Sequence, residues 1–260
     1  MLNLEQIQRQ YPLFLHKFPE ALLREYLQYK ILDIISRSPL APKISFLGGT
    51  ALRIIHGNTR FSEDLDFDNF GLQKDEFLSI SSEVRAGLEA EGMEVEITFA
   101  GQEAFRCNIR FPTLLYDTGL SPLPGQKILL QIDTLAHGVA YEPELQTINK
   151  FDIFTDLRTT PIAILFSQKL YACVRRPRPK GRDFFDIIFL LSLGVVPDYT
   201  YLEQKIGVKN AADVKTHILE KTSCYDFIEL AADVKPFLFK PSDAAKVERF
   251  HEVFAVARLE

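Results

Sequence analysis

Tryptophan is absent from the 260-residue chain, and cysteine is scarce. The three cysteines, at positions 107, 173 and 224, have no metal-ligand spacing, and an odd number is a poor framework for disulfides. We therefore expect reduced thiols in a cytoplasmic protein. The sequence also lacks an apolar run approaching ~20 residues, so no membrane-spanning helix is expected.

Several recognition signals are missing as well. The N-terminal segment MLNLEQIQRQYP is polar and mixed in charge, so we do not expect a signal peptide there. The sequence contains no Walker-type phosphate loop and no G-x-S-x-G motif, and its five histidines show no metal-ligand spacing. A net charge of −5 gives no overall sign of nucleic-acid binding, but it permits a local basic surface.

Hydrophobic patterning divides this ordinary globular composition near residue 155 into a mixed α/β half and a helical half. In the first half, apolar periodicity predicts helices over 1–38, 50–56 and 74–91. Strands are predicted over 43–49, 64–67, 93–99, 104–111 and 127–135. Beyond Thr160 the strand signals fade, and helices are predicted over 159–175, 182–194 and the remainder. We therefore expect an α+β protein with domains 1–155 and 156–260.

The sharpest local feature is the segment GGTALRIIHGNTRFSEDLDFD, residues 48–68. Asp64 and Asp66 lie two apart in a predicted strand, so both carboxylates project from the same face. Unpaired like charges at this spacing are costly, and a shared divalent cation removes that cost. Because Mg²⁺ favours one or two carboxylates with substrate phosphates, the pair predicts metal-assisted nucleotidyl or phosphoryl transfer. The alternative is an acidic loop whose carboxylates are merely solvated.

A glycine pair precedes this acidic strand. Gly48 and Gly49 allow the backbone to approach a ligand, and the N–H groups that begin the predicted helix favour phosphate. Thr50 adds a hydroxyl donor. The alternative is a plain turn that requires positive φ.

The order glycine, threonine, spacer and Asp-apolar-Asp strand resembles the polymerase-β-like nucleotidyltransferases. More narrowly, Gly48–Thr50 together with Arg60–Phe67 resembles the AbiEii/AbiGii toxin family, the nucleotidyltransferase toxins of abortive-infection and toxin–antitoxin systems. The resemblance implies an α+β fold: a polymerase-β-like nucleotidyltransferase domain with a mixed sheet, then a helical C-terminal region that completes the cleft.

The same resemblance implies a third carboxylate on a later strand. Asp133, at the end of KILLQIDTL, is the best candidate, because an ionised carboxylate after a mostly apolar strand needs a partner. The alternative is that Asp133 caps the next element through the backbone of Leu135. Asp117, in a predicted loop, is a weaker rival.

Two further side chains fall beside the acidic pair. Arg60 either binds a phosphate or forms a salt bridge to Glu63 or Asp68. Ser62 is a candidate nucleotide contact, with capping of the local turn as the alternative.

A basic stretch in the helical half forms the second constellation. It contains six basic residues before the next acid: Lys169, Arg175, Arg176, Arg178, Lys180 and Arg182. Such a stretch suits a triphosphate or an RNA backbone. Lys169 lies on the apolar side of its predicted helix, where it either snorkels to solvent or holds NTP phosphates. Asp183 and Asp186 share a helix face, and stabilising the helix dipole is their alternative role.

The AbiEii-like resemblance extends to this second segment. It implies that Lys169 contacts nucleotide and that Asp183, followed by Asp186, belongs to the active site. The candidate catalytic residues are therefore Asp64, Asp66, Asp133, Lys169 and Asp183. The candidate nucleotide-binding residues are Gly48, Gly49, Thr50, Arg60, Ser62, Lys169, Arg182 and Asp186. The candidate ligands of Mg²⁺ or Mn²⁺ are Asp64, Asp66 and Asp133.

From the resemblance we expect a toxin that moves NMP from an NTP to RNA, with a tRNA 3′ end as the candidate acceptor, and that has a cognate antitoxin protein. Spacing alone supports only an enzyme that uses NTP and metal. A small-molecule nucleotidyltransferase of the antibiotic-modifying kind is one alternative, since it shares the acidic motif without needing the basic stretch. A catalytically silent nucleotide-binding module is another.

Overall fold

The computed structural model describes residues 1–101 and 104–260, which form two compact units. The sheet unit comprises Met1–Ile55, Phe61–Gly138 and Pro143–Thr159. The helical unit comprises His56–Arg60, Val139–Glu142 and Thr160–Glu260. Two short segments of the first half therefore belong to the helical unit. Within the described ranges, no helix is long and apolar enough to span a membrane.

A mixed sheet of seven strands in the described residues forms the centre of the sheet unit. The strands are β1 (Ile44–Leu47), β2 (Leu65–Asn69), β3 (Glu96–Ala100), β4 (Phe105–Phe111), β5 (Ile128–Leu135), β6 (Glu144–Lys150) and β7 (Ile153–Thr159). Their order across the sheet is β3-β4-β5-β2-β1-β7-β6. The pairs β2–β5 and β1–β7 are parallel, and the other pairs are antiparallel.

Helices of the sheet unit bury their apolar faces on this sheet and on one another. They are α1 (Leu4–Gln8), α2 (Pro19–Arg37), α3 (Gly48–Ile54), α4 (Lys74–Ala90) and α5 (Leu114–Asp117). Helix α2 packs against β7 and α4, and it begins with a proline in its first turn, where a missing N–H costs nothing. Leu23, Leu27 and Ile31 of α2 recur at helical spacing and are fully buried, so the predicted amphipathic face is the face that packs.

Seven helices follow in the helical unit. They are α6 (Ile162–Arg175), α7 (Gly181–Ser192), α8 (Tyr199–Ile206), α9 (Ala211–Thr222), α10 (Phe227–Val234), α11 (Ala245–Glu248) and α12 (Phe250–Val256). The rings of Phe184 and Phe250 meet edge to face at 4.8 Å in its core. Gly181 is required where α7 begins, because a Cβ there would collide with the carbonyl oxygen of Leu230.

The α+β class and the helical second half are confirmed, and so are the predicted strands around the acidic motif. The hairpin β6–β7 was not predicted. Its first strand, ELQTINK, lies at the sheet edge and buries only Ile148 fully, so its sequence carries little apolar alternation. Strand β3 begins at Glu96 rather than residue 93, although Met93 and Val95 are buried without belonging to it.

Candidate active site

Three charged side chains stand in a row across neighbouring strands of the sheet unit. Asp66 of β2 pairs in register with Asp133 of β5, and Asp133 pairs in register with Arg106 of β4. Side chains of directly paired residues lie on the same face of a sheet. Asp64 immediately precedes β2 and lies two residues before Asp66, so the predicted acidic strand begins one residue later than expected. The structure thus brings together the carboxylates predicted as a metal site and adds an arginine.

The alternating burial along residues 64–67 leaves Asp64 and Asp66 accessible. Leu65 and Phe67 are buried in the core, whereas Asp64 and Asp66 are half-buried. This alternation is the pattern of a strand that packs one face and presents the other. Asp68, by contrast, is buried, and its Oδ1 accepts the backbone N–H of His137 at 2.9 Å.

Gly48 lies against the carboxylate of Asp66. Strand β1 ends at Leu47, which pairs with Asp66, and α3 begins directly at Gly48. Gly48 has φ of +82°, and a Cβ at this position would collide with Asp66 Oδ2. Glycine is therefore required twice, for its backbone conformation and for the space it leaves to the carboxylate.

Two polar side chains hold the segment that leads into the acidic strand. The Thr50 hydroxyl, fully buried, donates to the carbonyl oxygen of Asp64. The side-chain amide of Gln28, in α2, donates to the carbonyl oxygens of Ser62 and Glu63 at 2.9 and 3.0 Å. Thr50 thus uses its hydroxyl proton on the backbone, whereas the sequence suggested a phosphate. No sequence signal pointed to Gln28, because it lies 34 residues before Ser62.

The Asp133 carboxylate is held by side chains rather than by the next element. Arg106 donates to it in a bidentate manner, with Nε–Oδ1 and Nη2–Oδ2 distances of 2.9 Å. Gln131 Nε2 lies 3.0 and 3.1 Å from the same two oxygens. Hydrogen bonding to Asp133 raises the pKa of Arg106, and the charges of Asp64 and Asp66 add to this effect. Sequence reasoning missed Arg106, since only strand register places it here.

The rival acid, Asp117, lies elsewhere. It ends α5, which follows β4 beyond the sheet end where Phe111 pairs with Ile128. It also lines a cavity of about 560 Å³ with residues 1–5 and 91–94. Asp133 lies near the opposite end of β5, so the geometry favours Asp133 as the partner of Asp66.

The donor set fits a divalent metal in part. Asp64 and Asp66 offer the hard oxygen ligands that Mg²⁺ prefers when substrate phosphates complete its shell. Both oxygens of Asp133 accept N–H groups from Arg106. In residues 1–101 and 104–260, no group of three or more Asp, Glu, His or Cys side chains is arranged to hold a metal ion. The structure therefore places Asp133 beside the pair, and the three-ligand metal site stays a prediction.

The helical unit contains a second charged cluster, centred on Asp186, which is fully buried. Arg60 donates to its two oxygens at 2.7 and 2.6 Å, and Asn58 Nδ2 donates at 2.7 Å. Arg60 is itself only 2% exposed. This buried partner of Arg60 lies 126 residues away, and the sequence had suggested Glu63 or Asp68 instead.

Lys169 completes the same cluster. Its Nζ lies 3.0 Å from Asp183 Oδ1 and 2.9 Å from Asp186 Oδ2. Burial lowers the pKa of Lys169, but the charges of Asp186 and Asp183 outweigh burial, and the pKa is raised overall. Arg176 Nε lies 3.0 Å from Asp183 Oδ2, in an ion pair whose geometry is not that of a hydrogen bond. Lys169 therefore does not snorkel to solvent but forms buried ion pairs, and its contact with NTP phosphates stays a prediction.

The residues of the basic stretch differ in their partners. Arg175, Arg176, Arg178 and Lys180 are all exposed, but Arg176 also pairs with the buried Asp183. The guanidinium of Arg182 lies over the ring of Phe237 at 4.5 Å, a favourable cation–π geometry.

Solved structures share this fold. MenT4, a nucleotidyltransferase toxin from Mycobacterium tuberculosis, matches with a TM-score of 0.62 at 16% identity, over 99% of this chain and 91% of its own. JHP933 from Helicobacter pylori matches with a TM-score of 0.55 at 20% identity, over 91% of this chain and 92% of its own. A putative nucleotidyltransferase from H. pylori matches with a TM-score of 0.52 at 20% identity, over 91% of this chain and 95% of its own.

No curated protein matches the sequence. The family profile described as "Nucleotidyl transferase AbiEii toxin, Type IV TA system" matches residues 30–254, which is most of the chain. The matched range includes the row of Asp66, Asp133 and Arg106 and the cluster around Asp186. Members of such a family take an NTP as substrate and generally use a divalent metal. The chain belongs to the AbiEii family of nucleotidyltransferase toxins of type IV toxin–antitoxin systems.

Proposed function

We propose that this nucleotidyltransferase moves NMP from an NTP to an RNA acceptor, with a tRNA 3′ end as the candidate, and that Mg²⁺ or Mn²⁺ binds at its acidic strand. The observation that carries the proposal is the row in which Asp66, Asp133 and Arg106 lie in register. The family assignment supplies the reaction class. We also propose that the enzyme acts in the cytoplasm and is controlled by a cognate antitoxin protein.

Asp64 and Asp66 are the residues proposed to hold the metal, with Asp133 as the third acid. A bound divalent metal would polarise the acceptor hydroxyl and neutralise charge on the triphosphate and on the pyrophosphate leaving group. The chain keeps the two carboxylates in place for this role. Gly48 leaves room for Asp66, while Thr50 and Gln28 fix the backbone just before β2. Preorganisation of this kind is what electrostatic catalysis requires.

Lys169 and Asp183 are proposed to act on the nucleotide, as the family resemblance suggests. The cluster supports this role because the cations Arg60, Lys169 and Arg176 outnumber the carboxylates Asp183 and Asp186. A cluster with excess positive charge is suited to bind phosphate. Arg60 and Asp186 are both buried, and we propose that they position Lys169 without contacting the nucleotide themselves. Gly49, Ser62 and Arg182 remain proposed nucleotide contacts.

The exposed part of the basic stretch supports an RNA acceptor. Arg175, Arg178 and Lys180 are exposed to solvent, whereas Lys169 is paired with Asp183 and Asp186. Phosphate contacts by such side chains supply much of the affinity of proteins for RNA. A small-molecule acceptor would gain nothing from them.

The proposal is tested by incubating the protein with each labelled NTP, Mg²⁺ and total tRNA, and by following label into RNA. We expect one or two NTPs to label RNA in the wild type and none to do so in Asp66→Ala. Asp75→Ala, which removes an exposed acid from α4, is the matched control and should label as the wild type does. Label that enters only a small molecule would contradict the RNA acceptor. No consumption of any NTP would contradict transfer itself.

A further inference from the structure

We propose that Arg106 and a divalent metal compete for Asp133, so that the third carboxylate becomes a metal ligand only when Arg106 leaves it. This inference rests on the proposed function, because it takes Asp64 and Asp66 as the metal-holding pair. It assigns to Arg106 the role of a positioning residue, one that acts through Asp133.

Both carboxylate oxygens of Asp133 already accept hydrogen bonds. Arg106 bonds Oδ1 through Nε and Oδ2 through Nη2, both at 2.9 Å, which is the fork that best satisfies a carboxylate. Gln131, two residues earlier on the same face of β5, lies within hydrogen-bond distance of both oxygens. A metal that takes Asp133 must therefore displace at least one N–H donor.

The strand register places the metal-holding pair and Arg106 on either side of Asp133. Asp133 is flanked on one side by Asp66 and on the other by Arg106, as direct neighbours on adjacent strands. Cα atoms of paired residues on adjacent strands stand ~5 Å apart. A cation held by Asp64 and Asp66 and the guanidinium of Arg106 therefore meet at the same carboxylate, from opposite sides.

Exposure makes the arginine displaceable. The side chain of Arg106 is 48% exposed and that of Asp133 is 24% exposed. An ion pair at this level of exposure is weak, because water screens it and the freed arginine is readily hydrated. The pair Arg60–Asp186 is different, with exposures of 2% and 0%, and it has no such freedom. The Arg106 ion pair is thus stable enough to occupy Asp133 at rest and weak enough to yield to a dication.

The chain offers a matched control in the same strand. Arg110 lies four residues after Arg106 on the same face of β4, pairs in register with Leu129, and donates to Thr98 Oγ1. It stands ~13 Å along the strand from Arg106 at ~3.3 Å per residue. That separation exceeds the screening length of ~10 Å at 0.1 M salt. Arg110→Gln removes the same charge as Arg106→Gln while leaving Asp133 alone.

The test is a titration of Mn²⁺ without nucleotide, in which electron paramagnetic resonance reports the free ion. We expect Arg106→Gln to bind Mn²⁺ about two- to fivefold more tightly than the wild type, the scale of an exposed ion pair. Arg106→Lys should fall between them, and Arg110→Gln should match the wild type. A gain of affinity is a readout that loss of a merely structural contact does not produce.

The second arm places the effect on Asp133. In Asp133→Asn the affinity for Mn²⁺ should be equal to or weaker than in the wild type, and adding Arg106→Gln to it should give no gain. Unchanged or weaker Mn²⁺ binding in Arg106→Gln overturns the proposal, as does an equal gain in Arg110→Gln. Absence of NTP transfer by the wild type, with this pattern of Mn²⁺ affinities observed, would instead contradict the proposed function.

Discussion

The two charged clusters differ in how far they are removed from water. In the sheet unit, Asp64 and Asp66 are half-buried, and the Asp133 side chain keeps a quarter of its surface exposed. In the helical unit, Asp186 is fully buried and bonded to two cations and an amide. Exposed carboxylates are free to exchange partners, whereas buried ones must keep theirs, because an unpaired buried charge is strongly destabilising. The first cluster is suited to chemistry, and the second to holding a lysine in place.

The largest effect expected from this difference between the clusters is a loss of transfer when an acid before or in β2 is replaced. Asp64→Ala and Asp66→Ala should each lower transfer at least about a hundredfold, the scale on which one preorganised electrostatic group acts. The unfolding free energy should stay close to that of the wild type, because Leu65 and Phe67 keep the strand in the core. Transfer rates and urea unfolding measure the two quantities. Variants with wild-type transfer would remove the metal site from the proposal.

The reverse pattern is expected in the helical unit. Asp186→Asn should reduce the unfolding free energy by about 3–5 kcal/mol, since it removes the charge that balances the buried Arg60 and leaves Lys169 with Asp183 alone. Urea unfolding at pH 7 is the measurement. An unfolding free energy equal to that of the wild type would show that water reaches this cluster and would break the comparison.

Acid should weaken the same cluster in the wild type. Burial raises the pKa of Asp186, but Arg60 and Lys169 lower it to about 2, below its ordinary value of 3.8. A lowered pKa contributes stability that is present above the ordinary value and is lost as the pH falls towards the folded value. The wild type should therefore lose this contribution between about pH 4 and pH 2, as followed by thermal unfolding. Asp186→Asn should lack this part of the pH dependence.

A smaller effect is expected at Lys169. Lys169→Ala should weaken NTP binding about tenfold, the lower part of the range for a charged hydrogen bond, because the lysine is already shared between Asp183 and Asp186. Lys169→Arg should restore affinity only in part, since a forked guanidinium does not fit a point-charge site. Calorimetric titration of NTP measures this change. The titration must be run where each variant is folded, and unchanged affinity in Lys169→Ala would mean that the lysine only supports the fold.

The smallest effect concerns the exposed basic side chains. Replacing Arg175 and Arg178 with Ala should weaken RNA binding and lower the slope of log affinity against log salt, by about 0.7 for each lost contact to single-stranded RNA. Arg176 is left in place because it pairs with Asp183. Lys209→Ala with Lys221→Ala, two exposed lysines, is the control pair. Equal slopes in the wild type and the arginine variant would leave the stretch as solvated surface.

The sequence was most informative where function and local pattern coincide. The Asp-Leu-Asp strand, the glycine pair before it and the apolar strand ending near Asp133 are all short-range patterns, and each was predicted close to its observed bounds. The helix 182–194 was likewise predicted, from an apolar face closed by glycine, and it is observed as Gly181–Ser192. Periodicity is a local property, and local properties can be read from sequence.

What the sequence did not predict depends on register and long separation. Arg106 meets Asp133 only because β4 and β5 pair antiparallel in one particular register, and a slip of one residue would turn the arginine to the other face. Arg60 meets Asp186 across 126 residues, for which no spacing rule exists. The roles proposed for Lys169, Asp183 and the metal ligands remain predictions for the experiments above.

The bond from Gln28 to the carbonyl oxygens of Ser62 and Glu63 has a consequence for defining the smallest active fragment. The family match begins at residue 30, two positions after Gln28. A fragment trimmed to that boundary would retain every carboxylate of the candidate active site and still lose the amide that holds the backbone before β2. Helix α2 would also be cut in its middle, with Leu23 and Leu27 removed from the core. Fragment boundaries for this enzyme are therefore better set by the start of α2 at Pro19 than by the extent of sequence similarity.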